Sequence, residues 1–577
     1  MSDVSLETIV SLCKRRGFIY QGSEVYGGLA GTWDYGPLGV ALKRNIMDLW
    51  WKTFVEDRDD MLGVDATILM NKKVWEASGH ATGFNDPMVE CFECHTRFRA
   101  DHTLNESKVD IGKLTKRIKK IAEIYSQEPS LFQDHYSSTG EAPAYKLIED
   151  ELKEFPVLTV KSVSHQLDEI LGYANKDFHD GEKYGDFPGQ GTALALGNIG
   201  EIENKAKDIA ERAALNTDVP CKVCGKKNWS GKKTFNMMFK TTVGPTAHEI
   251  KIDGPLNIPA GKRITFQEIH GAMEDGGDPA RVYLRPETAQ GIFTNYKNII
   301  DSFYPDVPFG IAQQGKAFRN EISPRDFVFR SREFEQMEIE YFIHPDNWKE
   351  AFEKWITDIE AFLTELGLPT EKINKLEVPD ADRAHYSQRT IDFEFDFPIG
   401  REELLGLAYR TDFDLQNIQK ASGKSMEYRP KDGSPPFVPH VIEPSFGVER
   451  AIMAVLSAAY TEDEINGEKR AYLKLPANLA PVKVAVSPLL KNKPELVAKA
   501  REVYTMLKKE FGNVMWDDNG NIGKRYRRQD EIGTPYCVTI DFDTLEDNTV
   551  TIRHRDTAEQ ERLKIAEIRL YLAKHGL

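Results

Sequence analysis

Phe318-Arg319-Asn320-Glu321-Ile322-Ser323-Pro324-Arg325-Asp326-Phe327-Val328-Phe329-Arg330-Ser331-Arg332-Glu333-Phe334-Glu335-Gln336-Met337-Glu338 is the stretch that decides the fold. It holds four arginines and ends in an alternating acidic and apolar run. Guanidiniums at separate points can clamp phosphate oxygens in forks. A ring such as Phe334 can stack on a purine, and a glutamate can accept from the purine's exocyclic amine. A single Arg-x-Glu is usually a surface ion pair. The ordered set is more telling, because Glu443-Pro444-Ser445-Phe446-Gly447-Val448-Glu449-Arg450 follows at the mouth of a helix. Together the two stretches describe a bent triphosphate held on a sheet.

Around them the sequence reads as short β-type runs at 282–284, 309–314, 327–329, 337–342, 391–395 and 408–414. Joined by hairpin-like turns, these predict an antiparallel sheet, flanked by helices at 289–301, 348–366 and 447–460. Toward the N-terminus the pattern predicts helices at 6–16 and 40–55 and a strand over 61–70. After Pro476 the order is strand (482–487), helix (496–511), strand, loop, strand (535–541), strand (549–553) and helix (558–574). That alternation describes a small α/β domain. The chain is therefore expected to be α+β, in four parts: 1–100, a Lys- and Glu-rich insertion at 101–220, a core at 221–475, and a domain at 476–577.

The common nucleotide-binding signatures are absent: no Gly-x4-Gly-Lys-Ser/Thr, no Gly-x-Gly-x-x-Gly after a strand, and no His-Glu-x-x-His. The fragments that are present resemble motifs 2 and 3 of class II aminoacyl-tRNA synthetases. Leu284-Arg285-Pro286-Glu287-Thr288-Ala289-Gln290-Gly291, with Arg319–Arg325 and Glu443-Pro444-Ser445, resembles the homodimeric glycyl-tRNA synthetases. The likeness extends to Trp33-Asp34-Tyr35-Gly36-Pro37-Leu38-Gly39 and to Gly523-Lys524-Arg525-Tyr526-Arg527-Arg528-Gln529-Asp530-Glu531, so it covers nearly the whole chain.

That resemblance implies a six- to seven-stranded antiparallel catalytic sheet with flanking helices, an inserted domain and a C-terminal anticodon-binding domain. It implies ATP-dependent activation of glycine to glycyl-adenylate and transfer to the terminal adenosine of tRNA(Gly). The implied catalytic residues are Arg319, on the α-phosphate and the glycine carboxylate, and Arg450, which with Arg330 holds the γ-phosphate end. ATP contacts are implied at Arg319, Asn320, Glu321, Phe329, Arg330, Ser331, Arg332, Glu333, Phe334, Glu403, Leu404, Gly447, Val448, Glu449 and Arg450. Glycine contacts are implied at Arg99, Glu287, Phe334, Glu335, Gln336, Met337, Glu338, Glu443, Pro444, Ser445, Phe446 and Gly447. Glu403 and Glu443 are candidate ligands for the ATP-bound Mg²⁺, since hard carboxylate oxygens suit that ion. Region 36–70 resembles the dimer-forming motif 1, so a homodimer is expected.

Six cysteines are too few for a disulfide scaffold in 577 residues, and four stand in two Cys-x-x-Cys pairs. Cys91, Cys94, Cys221 and Cys224 fit a tetrahedral zinc site, with Gly225 suited to the turn after the second pair. Four ordinary reduced thiols or two redox pairs are the other readings. Net charge is −16, and it is unevenly spread. Residues 477–577 carry 17 Lys+Arg against 15 Asp+Glu, which leaves 58 against 76 for residues 1–476. A polyanionic partner is thus expected at a local patch, namely Lys524, Arg525, Tyr526, Arg527 and Arg528 with Arg553, His554 and Arg555 on a later strand. The N-terminus shows no basic region followed by an apolar one, and no apolar stretch approaches the ~20 residues of a membrane span. A cytoplasmic protein is expected. A synthetase for another amino acid and a non-catalytic paralogue, such as the accessory subunit of a mitochondrial DNA polymerase, are the rival readings. The latter could dispense with Arg319, Glu321, Arg330, Phe334 and Arg450, all of which are present.

Overall fold

The computed structural model describes residues 4–127, 151, 199–243, 281–380, 382–384, 386–465 and 467–577. The chain divides into two compact units, one formed by Met1–Thr82 with Met238–Leu577 and the other by Gly83–Met237. Most of the expected insertion at 101–220 lies outside the described residues.

The first unit opens with α1 (Leu6–Arg16), capped by the Ser5 side chain and closed by left-handed Gly17. A two-stranded hairpin, β1 (Ile19–Gln21) and β2 (Trp33–Tyr35), leads through Gly36 into α2 (Pro37–Trp51). Gly39 is required there, because a Cβ would lie 1.9 Å from the Phe18 carbonyl oxygen. The expected strand over 61–70 is two short ones, β3 (Met61–Gly63) and Leu69–Met70, in different sheets. Next come α3 (Ala289–Phe303), β4 (Phe309–Phe318), β5 (Glu333–Ile343), α4 (Trp348–Glu365), β6 (Ile373–Glu377), β7 (Arg389–Phe397), β8 (Gly400–Thr411), α5 (Phe413–Ser422), β9 (His440–Gly447) and α6 (Val448–Ala459).

Seven strands form the central sheet in the order β6-β7-β8-β9-β5-β4-β3. Every pair is antiparallel except β4–β3, so the sheet is mixed rather than wholly antiparallel. The reason is connectivity: β3 joins β4 through a long excursion instead of a hairpin, and such a crossover permits parallel pairing. Two further expectations are corrected. Phe327–Phe329 is a 3-10 turn, and Arg281–Leu284 pairs with Leu69–Met70 and Lys240–Thr242 in a separate three-stranded sheet. The run expected over 408–414 ends at Thr411, where φ is 58° and α5 begins two residues on.

Strand alternation divides β5 between two faces. Met337, Ile339 and Tyr341 enter the main core with α2, α4 and α6. Phe342 joins a second core with α3, where Phe293, Ile311 and Leu415 also pack. Gln336, Glu338 and Glu340 share the face of Phe342, and there the sheet surface turns from apolar to acidic.

A hairpin, β10 (Tyr460–Ile465) and β11 (Glu468–Leu473), leads to the last domain. Its elements are β12 (Val484–Pro488), α7 (Pro494–Phe511), β13 (Val514–Trp516), α8 (Ile522–Glu531), β14 (Tyr536–Ile540), β15 (Thr549–His554), β16 (Gln560–Lys564) and α9 (Ile568–Lys574). The sheet order is β13-β12-β14-β15-β16, around its own core. A loop was expected where α8 stands. The Asn521 side chain caps this helix through Lys524 N–H, and its Lys, Arg, Gln and Glu residues are good helix formers. The helix expected over 558–574 begins as β16, because that segment pairs with β15.

In the second unit, Asn85–Glu90 pairs with Arg97–Arg99 and Lys233–Asn236, and helices Ile111–Gln127 and Ile199–Asp218 pack together. Among the described residues no helix is long and apolar enough to cross a membrane.

Candidate active site

β4 and β5 pair from Phe309↔Phe342 to Phe318↔Glu333, so residues 319–332 form the loop of one long hairpin. Arg319 is fixed at its base: its N–H donates to the Arg332 carbonyl at 2.9 Å and its Nε to the Pro286 carbonyl at 3.1 Å. Its guanidinium lies 5.2 Å from the centre of the Phe334 ring. Arg332 is tied down by donating to the carbonyls of Glu321 (2.8 Å) and Ala30 (3.1 Å). Arg330 and Arg325 form an isolated bridge within the loop. Ser331 is buried and donates to the Val328 carbonyl, and Glu333 pairs with Lys316.

Arg450, in the first turn of α6, marks a second cationic point. Its guanidinium sits 4.6 Å from the Phe329 ring centre and donates to the Glu403 carbonyl oxygen at 2.9 Å and Oε2 at 3.0 Å. The Arg450 charge holds the Glu403 carboxyl below its ordinary range. Asp392 stands on β7 next to β8, and burial with Glu403 and Glu394 nearby raises its carboxyl to about 7.

On the acidic face, Glu338 accepts from Ser445 Oγ at 2.7 Å and from the Thr288 hydroxyl at 2.5 Å. Gln336 Oε1 accepts from the Thr288 N–H at 3.2 Å. Glu443 Oε1 accepts from Arg410 Nη1 at 2.7 Å, and Arg410 Nε donates to Asp414 at 2.8 Å. Glu287 Oε2 lies 3.2 Å from His80 Nε2, whereas its Oε1 is buried with no hydrogen-bond partner among the described residues. Both carboxyl oxygens of Glu340 are likewise buried and unpartnered. Burial works against ionising Glu287, but His80, with Arg410 and Arg319 behind it, brings its carboxyl down to about 2. Burial and the neighbouring carboxyls push Glu338 and Glu340 up, and Glu443 to about 8 despite Arg410. Five carboxyls, Asp414 among them, thus crowd around Arg410, Arg319 and His80, with Glu338, Glu340 and Glu443 held toward the neutral form and Glu287 toward the charged one.

The pleat sorts the expected contacts. Glu287, Phe334, Gln336, Glu338, Glu443, Ser445 and Gly447 belong with the acidic face and the hairpin loop. Met337, Phe446, Leu404 and Val448 have side chains in the main core, and Pro444 follows the same alternation as Phe446. The contacts expected at Met337, Leu404, Pro444 and Phe446 therefore fall to the backbone, because adjacent strand residues point to opposite faces. Glu335 pairs with Lys43 at 2.8 Å. Each candidate magnesium ligand already has one oxygen on a guanidinium, Glu443 Oε1 on Arg410 and Glu403 Oε2 on Arg450. Arg99 lies in the second unit, 3.3 Å from Asp86. Arg410, Asp414, His80 and Glu340 were missed by sequence reading. The alternation Gln336-x-Glu338-x-Glu340 was the one available signal, since it is a polar face at strand period.

In the second unit, Cys91 Sγ is 3.6 Å from Cys224 Sγ, Cys94 Sγ is 3.6 Å from Cys221 Sγ, and all four sulfurs lie within 4.8 Å of one another. Sulfurs 2.3 Å from a tetrahedral zinc stand about 3.8 Å apart. The two pairs adopt the same turn: His95 N–H donates to the Cys91 carbonyl and Gly225 N–H to that of Cys221, with φ of 56° and 71°. The donor set and its spacing fit zinc.

The basic stretch of the last domain is on α8. Lys524 is exposed, while Arg527 donates to Glu468 and Arg528 to Asp517. Tyr526 is half-buried, with its hydroxyl 2.9 Å from Thr539 Oγ1. Arg525 is buried and donates to the carbonyls of Pro488 and Gly520, so its expected RNA contact is corrected to an internal brace. Arg553 and Arg555 are buried too, on Asp530 and on the carbonyls of Gly533 and Leu475.

Residues 273–459 match the tRNA synthetase class II core domain (G, H, P, S and T), and residues 483–575 match the anticodon binding domain. The chain is 40% identical to a glycine–tRNA ligase of Deinococcus radiodurans, over 98% of each chain. It is 41% identical to that of Clostridium acetobutylicum, again over 98% of each. It is 38% identical to that of Lysinibacillus sphaericus, over 100% of this chain and 99% of the relative.

Proposed function

The chain belongs to the glycine–tRNA ligases, built on the class II synthetase core, and we propose that the groups gathered on its seven-stranded sheet carry that reaction as follows. A carboxylate oxygen of glycine attacks the α-phosphorus of ATP. The bond to pyrophosphate breaks, giving glycyl-adenylate. The terminal ribose hydroxyl of tRNA then attacks the glycyl carbonyl, and AMP leaves. Neither step needs a protein nucleophile; both need alignment and charge neutralisation.

Arg319 binds the α-phosphate and the glycine carboxylate, Phe334 stacks adenine and Glu321 reads its amine. Arg330 and Arg450 hold the γ-phosphate end, which keeps the triphosphate bent. Mg²⁺ bound with ATP supplies further neutralisation of the phosphates, and Glu403, beside Asp392, offers it hard oxygen donors. Glycine has no side chain to grip, so its ammonium is the handle. The single observation that carries this reading is Oε1 of Glu287, the carboxyl of the cluster held toward its charged form, which is buried with no hydrogen-bond partner among the described residues.

The four cysteines hold one structural zinc. Lys524 and the exposed edges of Arg527 and Arg528 meet the tRNA anticodon, the chain pairs as a homodimer through region 36–70, and it works in the cytoplasm. The likeness to motif 1 and the position of β3 at the end of the sheet support the dimer. Glycine-dependent ATP–pyrophosphate exchange, followed by glycylation of tRNA(Gly), tests the reaction. Exchange is expected to be most efficient with glycine, and exchange that ignores glycine overturns the reading. An active monomer on sedimentation, or active protein without zinc, would remove the dimer or the metal from it.

A further inference from the structure

Glu449 falls in the stretch that resembles an ATP contact, yet its carboxylate faces inward. It is buried in the first turn of α6. Its Oε1 accepts from the Tyr35 hydroxyl at 3.2 Å, and its Oε2 from the backbone N–H of Glu335 at 2.9 Å. Each of these bonds sits next to a ligand-holding side chain. Glu335 follows Phe334, whose ring lies under Arg319, and Glu449 precedes Arg450, which lies over Phe329.

The N-terminal hairpin closes this junction. Lys43 of α2 pairs with the Glu335 carboxylate at 2.8 Å and lies 4.6 Å from the Tyr35 ring centre. Trp33, on the same strand as Tyr35, meets Phe327 of the loop edge-on at 4.8 Å. Gly447 caps α6 without a side-chain hydrogen bond, so the turn bearing Arg450 takes its side-chain anchor from Glu449 rather than from its own cap.

We propose that Tyr35 and Glu449 are positioning residues that pin the Arg450 turn of α6 to the Phe334 strand, fixing the span between the adenine end and the γ-phosphate end of the site without touching ATP. This rests on the reading of Phe334 and Arg450 given above. A carboxylate suits the junction because it accepts at both oxygens. A glutamine can serve with roles reversed, its oxygen accepting from Glu335 N–H and its amide donating to the Tyr35 oxygen.

The test is glycine-dependent ATP–pyrophosphate exchange in the full-length protein. Tyr35→Phe should raise KM for ATP about 5- to 10-fold, the loss expected for one ordinary intramolecular hydrogen bond, and leave KM for glycine within twofold. Glu449→Ala should do at least as much, and Glu449→Gln should recover most of that loss. Adding Tyr35→Phe to Glu449→Gln should remove the recovery, because the buried amide then has no acceptor. Glu449→Gln as damaging as Glu449→Ala, with Tyr35→Phe neutral, would mean that the Glu449 charge acts on ATP and would overturn the proposal. Equal rises in KM for both substrates would overturn it as well, by showing general loosening. Phe334→Ala and Arg450→Ala separate the underlying reading: unchanged KM for ATP in both would sink the ATP site itself, whatever Tyr35→Phe does.

Discussion

Glu338 and Ser445 stand directly opposite each other on β5 and β9, and the Ser445 hydroxyl donates to Glu338 Oε1 at 2.7 Å. With the Thr288 hydroxyl on Oε2, both oxygens of this buried carboxyl are held before any ligand arrives. Ser445→Ala should therefore free one oxygen and blur the ammonium site. A loss of about 1 kcal/mol, roughly fivefold in KM for glycine, is expected with KM for ATP unchanged. An equal rise for ATP would place Ser445 outside the glycine site.

Glu287 has one oxygen beside His80 and one without a hydrogen-bond partner among the described residues. Glu287→Gln should cost glycine about 2–5 kcal/mol, since it removes a desolvated charge partner of the ammonium. The same packing limits the α-carbon: an added methyl in a filled site costs about 1–3 kcal/mol, so alanine should be activated roughly 5- to 150-fold less efficiently. Exchange measured with both amino acids checks both numbers.

Two neighbours on α8 should respond differently. Lys524→Ala should raise KM for tRNA and leave melting unchanged, because Lys524 is exposed. Arg525→Ala should lower stability by about 1–3 kcal/mol, because it leaves the buried carbonyls of Pro488 and Gly520 without donors. Thermal melting beside aminoacylation kinetics distinguishes the two.

Asp392 gives a pH prediction. Its folded carboxyl titrates at about 7, well above the unfolded value of 3.8. The folded chain thus holds an extra proton between those values, and this contribution to stability, full below 3.8, is lost as pH rises to about 7. Asp392→Asn should remove the penalty and stabilise the protein at pH 8 by about 1–2 kcal/mol, a figure reduced for partial exposure to solvent. No gain is expected at pH 4. Melting curves at the two values test the sign.

Cys91→Ser should release the zinc and destabilise the 83–237 unit. Structural zinc can contribute on the order of 10 kcal/mol to local folding. Metal content and proteolysis within that unit provide the readout; intact protein with full zinc would reject the four-thiolate site.

The sequence by itself determined the family and the main elements of the catalytic sheet. Its evidence was local: arginines in order along one hairpin, a helix-opening Gly447–Arg450, alternating runs at 337–342 and 391–395, and two Cys-x-x-Cys pairs. Such signals survive reading along a chain because propensity and period act over a few residues. Tertiary structure alone decided which charges are used and on what. Arg410 meets Glu443 across two strands, His80 meets Glu287 from some two hundred residues away, and Arg525 turns inward although it sits in a run of basic residues. It also decided that β3 lies parallel at the sheet edge, and that the Glu449 carboxyl accepts from the Tyr35 hydroxyl and the Glu335 N–H. The physical reason is that burial sets the energy of a charge. Burial depends on residues distant in sequence, so a carboxylate's role is fixed only once the fold has chosen its partners.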